Sequence, residues 1–247
     1  MVSAGKERYS FTKLSSFNNC KYGYKLTYID HCKGIGNCFS SYGSHVHSIM
    51  ERYAKGELNL WDLPSVYEWE FDSAVPESFP KSRFCKDMRK LYYEQGLTFL
   101  NNFSGYDGID ILGVEETFEY PIDDWIFTGV IDLIIRDKDG KLIVQDYKSK
   151  SAFKNKAEQA EYARQLYLYS LYVKEKYGKY PDLLRFVMFR KENIIDIPFN
   201  AAGADEAVGW AKETVKKIRE CEDFSPSCEE FFAENLCNHR EYYINRI

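Results

Sequence analysis

The chain has 247 residues, 45% of them hydrophobic, with 33 Lys and Arg against 38 Asp and Glu and a formal charge of −5. That length allows a substantial core, and the acidic balance excludes coating of nucleic acid by bulk electrostatics while leaving a local basic groove open. Seven cysteines, an odd number, do not fit a secreted disulfide framework, and without an export signal or an apolar run near the ~20 residues of a membrane helix, a cytoplasmic protein with no membrane partner is expected.

Leu14, Phe17, Tyr22 and Leu26 recur near helical spacing, which predicts a helix beginning near Thr12. "HCKGIGNC" reads as a loop leading to a second helix over 42–55. Trp61, Trp69 and prolines at 64, 76 and 80 predict an irregular insert with short helical pieces, followed by a helix over 82–101. The period then changes to that of strands, expected at 112–120, 125–136 and 141–149. A long helix over 156–177 stops at Gly178, with Pro181 just beyond. "LLRFVMFR" and "NIIDIPF" read as strands, and a helix over 204–220 precedes a C-terminal cap. The order predicts an α/β fold, a mixed central sheet flanked by helices. One domain over 1–247 is expected, with a helical N-terminal part at 8–105, an α/β core at 110–220 and the cap at 221–247.

One hairpin carries chemistry. In "TGVIDLIIRDKDGKLIVQDYKSK" two apolar runs flank a polar turn, yet each contains an acid, Asp132 in "GVIDLII" and Asp146 in "LIVQDYKS". With the turn centred on residue 139 and Gly140 supplying a positive φ, residues whose numbers sum to 278 face each other, so Asp132 opposes Asp146. Cross-strand Cβ atoms lie about 4.5–5.5 Å apart, and two carboxylates so close and off water need a cation. Alternation returns Lys148 to the same face. The competing reading is a solvated Asp146–Lys148 salt bridge, which the apolar surroundings disfavour.

The motifs "GSHVH" (43–47), "VEETF" with Glu115, "GVID" ending at Asp132, "QDYKS" with Asp146 and Lys148, and "QLYLY" with Gln165 and Tyr169 occur in one order along the chain. In that order they resemble the RecB-like branch of the PD-(D/E)XK nuclease superfamily, over about residues 10–243. The resemblance implies a restriction-endonuclease-like core and a metal-dependent DNA nuclease, an exonuclease by preference, serving repair, recombination or phage- and CRISPR-related processing. It implies that His47, Asp132, Asp146 and the Tyr147 carbonyl hold Mg2+ or Mn2+, a mixed N/O set that suits either ion. It implies that Lys148 orders the attacking water, and that Gln165 and Tyr169, on one helix face, touch phosphate or support the lysine; by composition alone they read equally well as a surface Gln and a core Tyr. Glu115, with Glu116 as its alternative, and Glu51, one turn after His47, are expected in support. Lys150 and Lys154, leaving the metal strand, are expected on the DNA backbone.

Members of this branch also hold an iron–sulfur cluster through one early and three late cysteines. Cys20 matches the early position and Cys237 the middle late one, but Glu234 and Tyr243 stand at the other two, and Cys221 and Cys228 fall at the wrong spacings. The expected reading is a lost cluster. No G-x-x-x-x-G-K-S/T loop is present, so unwinding would fall to a helicase or a recombination or CRISPR protein acting on single-stranded or duplex ends. The rival function is a partner-dependent or catalytically silent nucleic-acid-binding subunit.

Overall fold

The computed structural model describes residues 5–226 and 237–244. The expectations for Cys228, Glu234 and the Tyr243 side chain lie outside the described residues. Six strands form a mixed sheet flanked by helices: β1 (Arg8–Ser10), β2 (Asp110–Ile122), β3 (Trp125–Arg136), β4 (Leu142–Lys148), β5 (Leu183–Met188) and β6 (Asn193–Pro198). The order is β1-β3-β4-β5-β6, with β2 also on β3. β1 joins β3 and β4 joins β5 in parallel, whereas β3–β4 and β5–β6 are antiparallel. The α/β sheet expected from the sequence is therefore present. No helix among the described residues is long and apolar enough to cross a membrane.

The chain divides into two compact units. The first comprises residues up to Asn37, Phe118–Gly129 and Asp205 onward. Here the single helix expected from Thr12 is two, α1 (Phe11–Asn19) and α2 (Lys21–Tyr28). The break is at Cys20, whose backbone is extended (φ −158°) and whose Sγ accepts the Gly23 N–H at 3.3 Å, so a thiol caps the second helix. Helix α7 (Ala201–Arg219) starts three residues earlier than expected and packs Trp210 on Phe11.

The second unit comprises Cys38–Thr117 and Val130–Ala204. Helix α3 (Cys38–Ala54) begins four residues before the expected start; α4 (Leu63–Ala74) is the helical piece of the insert. Helix α5 (Met88–Asn102) begins six residues later than expected, because Asp87 caps it by accepting the Lys90 N–H at 2.9 Å. The long helix α6 (Lys156–Tyr177) has the expected bounds, capped by Asn155 and closed by Gly178 at φ +74°. Tyr42, Val46, Ile49 and Met50 of α3 pack with Leu63, Tyr67 and Phe71 of α4 and Phe99 and Leu100 of α5 in one core.

Two glycines test this packing with opposite signs. A Cβ on Gly96 would lie 2.4 Å from the Tyr67 hydroxyl, and Tyr67 has no room to retreat, being fully buried, stacked on His45 and bonded to the Tyr93 carbonyl. Gly96→Ala should therefore destabilise by about 1–3 kcal/mol through overpacking. A Cβ on Gly209 in α7 meets nothing within 4 Å, so Gly209→Ala should stabilise by about 0.5–1 kcal/mol through helix propensity. Urea midpoints of the two variants check both.

Candidate active site

All side chains of the site belong to the second unit. The β3–β4 turn is closed by Asp137, whose Oδ1 accepts the N–H groups of Asp139 (3.0 Å) and Lys141 (2.8 Å), with Gly140 at φ +79°. The resulting register pairs Leu133 with Gln145 and Arg136 with Leu142, which is the 278 pairing read from the sequence. Continued by one residue, that register sets Asp132 opposite Asp146. Asp132 Oδ2 accepts the Tyr147 N–H at 2.8 Å. Burial, and then the charge of Asp146, push the Asp132 carboxyl up to about 8.

Asp146 is 2% exposed. Lys148 Nζ donates to its Oδ1 at 2.9 Å and lies 2.7 Å from its Oδ2, so one ammonium faces both carboxylate oxygens. Lys148 also donates to Gln165 Oε1 (3.1 Å), and Gln165 Nε2 donates to the Tyr169 hydroxyl (2.8 Å), whose acidity burial suppresses. Four residues from β4 and α6 thus form one chain. An ammonium has three donors, and Asp146 and Gln165 take two of those on Lys148.

Helix α3 brings His47. It reaches β4 because position 43 is glycine: a Cβ there would lie 3.3 Å from that of Ser149. His47 Nε2 donates to the Tyr147 carbonyl at 2.7 Å, and its Nδ1 lies 3.4 Å from Asp132 Oδ2. The carbonyl expected as an oxygen ligand is therefore engaged by the imidazole. Glu51, expected beside the ring, instead pairs with Lys55, a neighbour one turn along α3.

Strand β2 supplies the carboxylate that the sequence left ambiguous. Glu115 has φ +46°, a left-handed residue inside a strand. This break in alternation turns Glu115 toward His47 and Asp132, while Glu116 bonds Tyr172 and Lys176. Burial and the charge of Asp132 raise the Glu115 carboxyl. His47, Glu115 and Asp132 each offer a ligand atom within 4.8 Å of the others. The structure thus groups Glu115, where Asp146 was expected, with the histidine and first aspartate, and gives Asp146 to Lys148.

Three acceptors, on His47, Glu115 and Asp132, therefore converge, with the Asp146–Lys148 pair on the neighbouring strand. A divalent cation with a preference for nitrogen and oxygen fits this set, because its charge would offset the burial and the neighbouring carboxylate that hold Asp132 up. The cleft beside it, about 370 Å³, is lined by Glu51 and Lys148 as well. Lys150 is ion-paired with Glu158 (2.9 Å), which also accepts the Lys154 N–H, so the first turn of α6 compensates part of the expected phosphate-binding charge. Sequence reading missed Tyr162, whose ring centroid lies 5.6 Å from Lys148 Nζ and 5.0 Å from that of Lys150; its place three residues before Gln165 on α6 was the available signal. In the first unit Cys20 and Cys237 are buried thiols whose sulfurs accept the N–H groups of Gly23 and His239.

The model of the PD-(D/E)XK nuclease superfamily matches residues 8–240. A presumed exonuclease from Eubacterium rectale superposes with a TM-score of 0.55 at 14% identity, covering 98% of this chain and 89% of its own. A second solved protein, SSO0001, aligns at 14% identity over 96% of this chain and 85% of its own, with a TM-score of 0.38. No curated protein sequence matches.

Glu115→Asn tests the strained carboxylate. Asn tolerates the left-handed region and carries no charge, so the variant should gain about 1 kcal/mol in urea denaturation with EDTA present, while losing a carboxylate from the cleft.

Proposed function

Since the chain belongs to the PD-(D/E)XK nuclease superfamily, we propose that it is a divalent-metal-dependent deoxyribonuclease, an exonuclease using Mg2+ or Mn2+ at single-stranded or duplex DNA ends. The observation that carries this reading is the Asp146–Lys148 pair of β4 beside the convergent His47, Glu115 and Asp132 of α3, β2 and β3. His47, Glu115 and Asp132 would hold the ion, with Asp146 Oδ2 alongside. When bound, the ion lowers the pKa of water and polarises the scissile phosphate.

The remaining work falls to the chain. Asp146 and Gln165 fix Lys148 Nζ, so that its third N–H is available to the attacking water or to a phosphate oxygen, where charge accumulates as water adds to phosphorus and the P–O bond to the leaving sugar breaks. Tyr169 holds Gln165 in the orientation that presents its carbonyl oxygen to the lysine. His47 links the helix to the strand through the Tyr147 carbonyl, which keeps its other nitrogen on Asp132. Where a duplex must be opened, a separate helicase or recombination protein would do so.

Cleavage of end-labelled single-stranded and duplex DNA with Mg2+, Mn2+ or EDTA tests the reading. Asp132→Ala should lose both cleavage and calorimetric Mn2+ binding. Lys148→Ala should lower cleavage by about 10²–10³-fold with Mn2+ binding retained. Metal-independent cleavage, or cleavage unchanged in both variants, would refute the assignment.

A further inference from the structure

Three aromatic side chains of the second unit stand well out into solvent: Trp61 (77% exposed), Trp69 (88%) and Phe84 (85%). Single exposed apolar residues are ordinary, but their surroundings differ. Trp61 is followed by Asp62, and Trp69 lies between Glu68 and Glu70, with Asp72 one turn on. Those acids repel a phosphate chain. Phe84 lies in "KSRFCKDMR", residues 81–89, where Lys81, Arg83 and Lys86 stand against Asp87, while Arg89 is paired with Asp72. In a chain of net charge −5 this is a local reversal of sign.

The segment that carries Phe84 is built to present it. Arg89 ties the two ends together, donating to the carbonyls of Val75 (2.8 Å) and Glu77 (3.5 Å) and to Asp72 (2.8 Å). Phe79 packs between Phe39 and Tyr92 at the root. At the tip, Ser82 and Cys85 form a bridge, and Ser82 Oγ accepts the Phe84 N–H at 3.1 Å. Arg83 rests over the ring at 4.6 Å, yet the ring stays exposed.

The root is also tied to the helix that carries His47. Ser41 of α3 donates to Glu77 at 2.8 Å, six residues before His47, or about 9 Å along the helix axis. Gly43, between them, lies against Ser149, the residue after Lys148. Backbone phosphates advance by about 3.4 Å per nucleotide along a B-form strand, so the root lies a few nucleotides from the candidate active site.

We propose that residues 78–89 form a single-strand-binding arch, in which Phe84 stacks on an unpaired base of the DNA while Lys81, Arg83 and Lys86 contact its phosphates. The inference rests on the nuclease reading above. An exposed ring takes any base on its π-face, which only an unpaired nucleotide offers, and cations beside it supply sequence-independent affinity. The arch therefore selects frayed or single-stranded ends over blunt duplex.

The test is steady-state cleavage in Mn2+ of a single-stranded oligonucleotide and a blunt duplex by the full chain and its variants. Phe84→Ala should raise KM for the single strand by roughly 5- to 150-fold, with kcat and the duplex KM unchanged, and Phe84→Trp should retain wild-type KM. Replacing Lys81, Arg83 and Lys86 together by Ala should flatten the salt dependence of kcat/KM on the single strand by about two log units per log unit of salt, whereas Phe84→Ala should leave that slope in place. Cleavage by the wild type with an unchanged KM for Phe84→Ala would overturn the arch and leave the nuclease reading standing, as would equal losses on single strand and duplex. No cleavage by the wild type would overturn both.

Discussion

The structure turns on the proximity of two acids that are largely removed from water. Asp132 and Asp146 lie just beyond the paired end of a tightly closed hairpin, Asp146 buried and Asp132 facing the cleft with little exposure. Each acid is given a different answer. Asp146 receives an ammonium from its own strand, while Asp132 receives a backbone N–H and otherwise stays high, its carboxyl pushed up to about 8 by burial and by its neighbour. That unequal settlement leaves a place for further positive charge on one side of the pair and a fixed lysine on the other, which are the two electrostatic needs of phosphodiester hydrolysis.

Much of the surrounding architecture holds this arrangement in place. Tyr147 is the shared point: its N–H goes to Asp132 and its carbonyl to His47, so one peptide on each side of a single residue ties the hairpin to α3. On the other side, α6 delivers Gln165 and Tyr169 from one face, and the helix is held in register by an asparagine cap and a left-handed glycine stop. A glycine at position 43 lets the helix approach Ser149. The cost of the site is visible at Glu115, a non-glycine residue in a left-handed conformation inside a strand, where strain is borne to aim a carboxylate.

Charge is distributed with the same economy. The lysines that follow β4 are not all free of ion pairs, since Lys150 is committed to Glu158 at the start of α6. A second basic stretch of that unit, with Lys81, Arg83 and Lys86, lies in the segment between α4 and α5, on an acidic chain. Positive charge is thus a local property of this chain, and the net charge is no guide to it.

The sequence by itself determined the local periodicities: the bounds of α6 follow from Asn155, Gly178 and an unbroken helical composition, and the hairpin register follows from the turn residues and the rule of alternation. From that register alone Asp132, Asp146 and Lys148 share a face. What the sequence did not contain is whatever depends on the backbone departing from its regular period or on partners distant in the chain. The break at Cys20 is a side-chain cap competing with a helix that the hydrophobic spacing would continue. The choice of Glu115 over Glu116 is made by one positive φ that no residue preference signals. The assignment of Asp146 to Lys148, and of Glu115 to the histidine and first aspartate, was decided by tertiary structure, because which carboxylates can share a cation depends on distances of a few ångströms between β2, β3 and α3, and those distances are set by packing.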